Sequence, residues 1–441
     1  MITRPMLTAP DTARTLEAVA ATAKTELLLC LPRLDPRTPL VRAELRNRGI
    51  EDWGDLVGWI TRRGVALRML VPDVDPLARP EAHRAAWTRA SGFADVVQGN
   101  AQILCASHGH AATGLRAWRL NRPRKATLAA LRAQDPGRLT PVQRAAPGTT
   151  LPARVAEIGQ AFVLADGAGC VLGGPLLGTA TEGPAPSALH VDDADFCGAL
   201  RGHFADAWAA AIATGSRSLA APAAALDLPR RAQSRADLRL IRTLSRPSRG
   251  LAPAPQVTDH EAALARMVDA ATTYILIRTE ALRHDTLADR LASAARRAEA
   301  LQLVLLLPPL APADPWDDAR ARHLQASALD RLRAAFGDRM ALCADPAPGG
   351  TLCLVDDRDF LVGSAALTRR ACRWNTEASA LVQDPSLARQ LMDSLAAVLL
   401  PGRGLTAEAL RSAAVWSARL PAPESVTASR PARRRLPDDL F

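Results

Sequence analysis

The strongest constraint in this sequence is that one order of elements occurs twice. A helical stretch from Asp11 to Lys24 runs into TELLLCL, a short apolar run that reads as a strand buried on both faces. A second helical stretch, ending at Arg62-Arg63-Gly64, runs into VALRMLVPDVDP, a strand closed by prolines. AFVLADGAGCVLGG then reads as strand, Asp-Gly turn and strand, ending in Gly173-Gly174. In the second half a helix from Asp259 to Ala271 precedes TYILIRT, and a helix ending at Arg296-Arg297-Ala298 precedes LQLVLLLPPLAP. TLCLVDDRDFLVGS closes the series with an Asp-Asp turn and Gly363-Ser364. Matched elements in one order predict a duplicated α/β lobe, with helices covering the sheets.

At 441 residues the chain exceeds one compact core. The expected division is a first lobe over 1–215, an Ala/Pro/Ser/Arg-rich linker over 216–255, a second lobe over 256–400 and a loosely held Pro/Arg-rich tail over 401–441. The first half also holds an extra segment, 108–150, with no counterpart in the second.

The stretch VDDRDFLVGSAALTRRACRWNTEAS resembles the signature of the phospholipase D superfamily, in which HxKxxxxD precedes a GSxN element and a later Thr-Glu. AFVLADGAGCVLGGPLL resembles the matching first copy, and WGDLVGWITRRGVALRMLVPDVDP and LRLIRTLSR are similar to bacterial members. The resemblance runs from about residue 10 to 400. It implies two similar lobes, each a mixed sheet flanked by helices, facing one another across a pseudo-twofold axis. It also implies that one histidine attacks phosphorus, that the other protonates the leaving alcohol and that lysines clamp the phosphate oxygens.

On that frame the reactive slots are empty. The register set by Asp166 puts Gly159 in the histidine slot and Ala161 in the lysine slot. Asp356 likewise assigns Gly349 and Thr351, and the asparagine slot of GSxN holds Ala366. None of the eight histidines has Lys or Arg two positions later, so a shifted register does not restore the motif. Asp166, Asp356, Ser364 and Glu377 remain as remnants. The two aspartates suit tight turns between strands, and Thr351 lacks a base to activate it. In the resemblance Glu377 orients a histidine that is absent here; its plainer reading is a capped or solvated carboxylate.

The expectation is a phospholipase D-like protein lacking phosphodiesterase activity, without metal or cofactor. Its crevice would bind a phosphate-bearing ligand or a protein partner through arginines. The rival is an active phosphodiesterase or phosphatidyltransferase drawing histidines from elsewhere, such as His108, His110 or His284. His108-Gly109-His110 lacks further ligands at metal spacing. His190 belongs to a polar loop in which Asp195 is a candidate helix cap.

Charge bears on partners. The formal net charge is +10, and Lys24 and Lys125 are the only lysines. An arginine surplus attracts phosphate, nucleic acid or an anionic membrane, and a GC-rich genome produces the same surplus. Aromatic content of 4% disfavours a single-strand nucleic-acid module, the third alternative. Leu115 to Arg132 has six cations and no acid, making Arg116, Trp118, Arg119, Arg122, Arg124 and Lys125 candidate contacts to an anionic phospholipid surface or partner. Pro123 argues against one continuous helix there. Seven scattered cysteines without a CxxC pair, no secretory leader pattern and no run of about 20 apolar residues suggest a cytoplasmic protein, peripheral to a membrane at most.

Overall fold

The computed structural model describes residues 2–109, 111–112, 114–149, 151–174, 183–226, 237–246, 248, 252–309, 318–400 and 405–423. The first lobe opens with β1 (Ile2–Thr8), α1 (Ala9–Thr22), β2 (Glu26–Cys30), α2 (Ala43–Arg46), α3 (Trp53–Arg62), β3 (Ala66–Pro72), α4 (Pro80–Ala94) and β4 (Ala101–Ala106). The extra segment contributes α5 (Gly114–Arg132) and α6 (Pro141–Ala145). The lobe closes with β5 (Ala161–Ala165), β6 (Gly169–Gly173), β7 (Pro184–Asp192) and α7 (Ala194–Ala213).

The second lobe begins with β8 (Leu238–Arg246), β9 (Ala254–Thr258), α8 (Asp259–Asp269), β10 (Tyr274–Thr279), α9 (Asp285–Arg297) and β11 (Gln302–Leu307). It continues through α10 (Asp318–Phe336), β12 (Met340–Ala344), β13 (Thr351–Val355), β14 (Asp359–Gly363), α11 (Arg369–Arg373), β15 (Glu377–Val382) and α12 (Pro385–Leu399). Two short helices, α13 (Ala407–Leu410) and α14 (Ala413–Ser417), follow.

The two sheets share one topology. The first runs β1-β7-β6-β5-β2-β3-β4, and the second, read from its far edge, runs β9-β8-β15-β14-β13-β10-β11-β12. Strand for strand the orders coincide, with β9 added outside β8. In each, three parallel strands (β2, β3, β4 and β10, β11, β12) continue into antiparallel ones. These are two mixed sheets flanked by helices. The apolar runs that gave no alternation in sequence are the central strands: every residue of β5, β10 and β13 is buried.

The two turn aspartates pin these sheets in the same way. Asp166 and Asp356 both take positive φ, 51° and 52°. The Asp166 carboxylate accepts bonds from the backbone N–H of Lys24, Thr25 and Glu26 at 2.8–2.9 Å and from Thr25 Oγ1 at 2.7 Å. Asp356 accepts from the N–H of Thr272, Thr273 and Tyr274 at 2.7–2.9 Å and from Thr272 Oγ1 at 2.9 Å. Each carboxylate thus ties a β-turn to the start of the neighbouring strand. For Asp166, burial works against ionisation, but these bonds outweigh it and hold the carboxyl below its usual range.

Several expected boundaries shift. The segment 216–255 is not a plain linker: β8 and β9 belong to the second sheet, and Leu219 and Ala221 bond along β4. The tail is not loose over its described part. Trp416 of α14 is fully buried, Arg411 pairs with Asp357, and the N–H of Ala344 in β12 donates to Pro421 O at 2.7 Å. Residues 424–441 lie outside the described residues. α5 runs through Pro123 as one helix, and the cap of α7 is Asp193 rather than Asp195.

One buried cluster spans both lobes, drawing on Phe162, Phe204 and Trp208 from the first and Leu276, Phe360 and Leu391 from the second. At the same interface Arg278, 2% exposed, pairs within the second lobe with Asp345 at 2.7 Å and 2.9 Å. Its Nη2 also donates to Ala347 O at 2.6 Å, and its Nη1 crosses to Ala185 O at 2.8 Å and Ser187 Oγ at 3.3 Å in the first lobe.

Asp356→Ala removes four bonds and leaves a side chain with no local polar partner at positive φ. It should lower the unfolding free energy by about 2–4 kcal/mol in chemical denaturation, and Asp356→Asn should cost less.

Candidate functional site

The lobes join along a short backbone seam just before β5 and β15. Ile158 and Thr376 form a parallel bridge. Thr376 O accepts from Gly159 N at 2.9 Å and Gln160 N at 3.1 Å, and Thr376 N donates to Glu157 O at 2.9 Å. Asn375 Oδ1 accepts from Glu157 N at 3.0 Å. Nearby, the lobes touch backbone to backbone. A Cβ on Gly174 would lie 2.5 Å from Gly349 O, and one on Gly350 would lie 2.5 Å from Gly174 Cα, so only glycine fits this approach.

The seam delivers Glu377 into the first lobe. A Cβ on Gly159 would sit 2.3 Å from Glu377 Oε1 and 2.4 Å from Oε2, so the carboxylate fills the space a side chain at 159 would need. Glu377 is neither solvated nor at the surface: it is 2% exposed. Ser364 Oγ donates to Oε2 at 2.5 Å and Asn375 Nδ2 donates to Oε1 at 2.9 Å. Burial raises its pKa to about 7; the bonds from Ser364 and Asn375 oppose the rise, and the charges of Glu157 and Glu280 add to it.

The other slots are equally occupied by structure. Thr351, 1% exposed, has its Oγ1 2.9 Å from Thr279 Oγ1. Ala161 opens β5 within the outer core of the first lobe. Ala366 O accepts from Thr368 N at 2.8 Å. Asp166 and Asp356 stand at the far ends of β5 and β13, roughly 20 Å from Gly159 and Gly349 by strand rise.

The residues around Glu377 are charged. Glu157 pairs with Arg79 and lies 3.7 Å from Arg370. The carboxyl of Glu280 is pushed up by desolvation, while the charges of Arg33 and Arg283 pull it down. Sequence reasoning missed Glu157, Asn375, Arg79 and Glu280, none of which belongs to a motif.

The atoms nearest to a Cβ on Gly159 all belong to Glu377, and the described histidine that reaches this residue, His203, bonds its backbone rather than its carboxylate. His108 lines a cavity of about 260 Å³ beside the seam with Ile158, Thr376 and Ser245, its Nε2 3.4 Å from Ser245 Oγ. Successive residues of extended chain point to opposite sides, which separates this cavity with Thr376 from Glu377. His284 caps α9 near Glu261, and His110 lies outside the described residues. His260 is fully buried between Thr243 Oγ1 and Ser379 Oγ, 2.8 Å from each. Burial lowers its pKa to about 3, and burial with nearby Arg242 does the same to His203.

The candidate contacts of α5 divide. Trp118 is 71% exposed and Lys125 is exposed. Arg124 is not a surface contact: it is 4% exposed, 3.3 Å from Asp75, and donates to Leu151 O. The side chains of Arg116, Arg119 and Arg122 lie outside the described residues. No described helix is long and apolar enough to cross a membrane.

Residues 264–399, which include β13, β14, Ser364 and Glu377, match the family model described as cardiolipin synthase, phospholipase D-like domain. The second lobe thus carries a phospholipase D-like domain. No curated protein matches this chain. Among solved structures it is similar to the phosphatidylserine synthase of Haemophilus influenzae Rd KW20, at 10% identity over 89% of this chain and 84% of that one, TM-score 0.48. It is also similar to Nuc, a phospholipase D family member of Salmonella typhimurium, at 15% identity over 38% of this chain and 95% of that one, TM-score 0.27.

The raised pKa of Glu377 makes a signed prediction. A carboxyl moved from 4.5 to about 7 stabilises the fold below pH 4.5, and that contribution is lost as pH rises through 7. Wild type should lose about 2–3 kcal/mol more unfolding free energy than Glu377→Gln between about pH 5 and about pH 8. The neutral histidines act with opposite sign, costing stability as pH falls below 6.5 towards 3, equally in both proteins.

Proposed function

We propose that this chain is a phospholipase D-like protein without phosphodiesterase activity. One observation carries the reading: the Glu377 carboxylate lies where a side chain on residue 159 would have to go. An attacking group there would have to displace a buried, hydrogen-bonded carboxylate. Gly349 supplies no group for the companion role, and the Thr351 hydroxyl is engaged with Thr279. Catalytic residues acting as a unit contribute on the order of 10⁶-fold in rate, about 8 kcal/mol of barrier, and nothing at these slots replaces that contribution.

The role left to such a crevice is binding. A phosphate-bearing ligand fits the mouth rather than the floor, because Arg33 and Arg283 lie near Glu280 whereas the floor carries Glu377. A second reading retains activity and has one observation in its favour. Ser364 donates to a carboxylate whose pKa of about 7 suits a general base. Its weakness is the lack of a cation in either lysine slot to hold phosphoryl oxygens.

Hydrolysis of phosphatidylcholine, phosphatidylglycerol and bis-p-nitrophenyl phosphate separates the readings. The expected result is no turnover above the uncatalysed background. Turnover abolished by Ser364→Ala, by Glu377→Gln or by any His→Ala change would overturn the proposal.

A further inference from the structure

The exposed face of α5 is the most unusual surface among the described residues. The only exposed large hydrophobic side chains there are Val96, at 37%, and Trp118, at 71%. The helix holding Trp118 has six cations and no acid between Leu115 and Arg132. Its orientation is fixed from the other side. Leu120, Arg124 and Leu131 are buried, at 0%, 4% and 1% exposure, and their spacing defines one inward stripe.

That stripe sets what faces out. Seven residues after Trp118, on the same side, stands exposed Lys125; exposed Ala129 and Arg132 continue the line. The outward face therefore combines one large indole, small residues and positive charge.

The helix is also well placed and firmly seated. Leu120 packs in a cluster with Val155 and Ala156, which lead into the seam at Glu157, and with Leu324 and Trp374 of the second lobe. α5 thus straddles both lobes beside the seam. A charged group, Arg124 with Asp75, is buried beneath it, so the helix keeps its orientation without help from a partner.

We infer that α5 docks the protein on an anionic phospholipid bilayer, with Trp118 entering the interface and the flanking cations meeting lipid phosphates. An indole has an apolar body and a polar N–H, which suits it to the boundary between headgroups and acyl chains. The cations supply attraction to a negative surface. A single-stranded nucleic acid fits this face less well, because successive bases need successive stacking platforms and α5 has one aromatic residue. The inference rests on the surface of α5 and stands whether or not the crevice is catalytic.

Vesicle co-sedimentation with the full chain tests it. Wild type should sediment with phosphatidylcholine vesicles containing phosphatidylglycerol, not with phosphatidylcholine alone, and binding should fall as salt rises. Trp118→Ala should weaken binding at least about fivefold and Lys125→Ala about fivefold. Both changes lie at exposed positions, so an unchanged thermal melt would separate lost docking from lost folding. Equal binding to both vesicle types, undiminished binding by Trp118→Ala, or binding to single-stranded DNA in preference to anionic vesicles would each overturn the inference.

Discussion

Everything at the centre of this molecule depends on how closely the two lobes approach. Residues 157–160 of the first lobe and 375–377 of the second share a strip of backbone hydrogen bonds, and Gly174 meets Gly349 and Gly350 without room for a side chain. This approach removes Glu377 from water and sets it against Gly159. The raised pKa of Glu377 and the filling of the space at Gly159 follow from that one contact.

Two kinds of polar residue maintain the approach from a distance. Asp166 and Asp356 collect backbone donors at the far ends of their strands and hold each sheet in register. Arg278 does the corresponding work between lobes, since its buried guanidinium serves Asp345 on one side and Ala185 and Ser187 on the other. These contacts give both aspartates a structural role of their own. The aspartates serve the strands, and the strands are needed whether or not the crevice reacts.

The repeat was legible because it is local: buried apolar runs, turn pairs and helix ends recur in one order, and the sheets follow that order. The strand LRLIRTLSR was visible as a family-like run, yet its Ala/Pro/Ser/Arg-rich surroundings drew it into the expected linker. The Pro/Arg-rich composition after residue 400 likewise concealed Trp416, whose burial depends on β12 and the neighbouring helices. Arg124 looked like part of a solvated basic face because its partner, Asp75, lies far away in sequence. The filling of the Gly159 space by Glu377 was illegible for the same reason: the two residues are more than two hundred positions apart and meet only when the lobes close.

The proposed loss of activity requires that no group in the crevice take up a phosphoryl moiety covalently. Intact-protein mass spectrometry after incubation with excess phosphodiester and an alkaline denaturing quench, which preserves phosphohistidine, tests it most directly. A single species at the unmodified mass is expected. A near-stoichiometric phosphoryl adduct, mapped by fragmentation to any histidine or to Ser364, would contradict it.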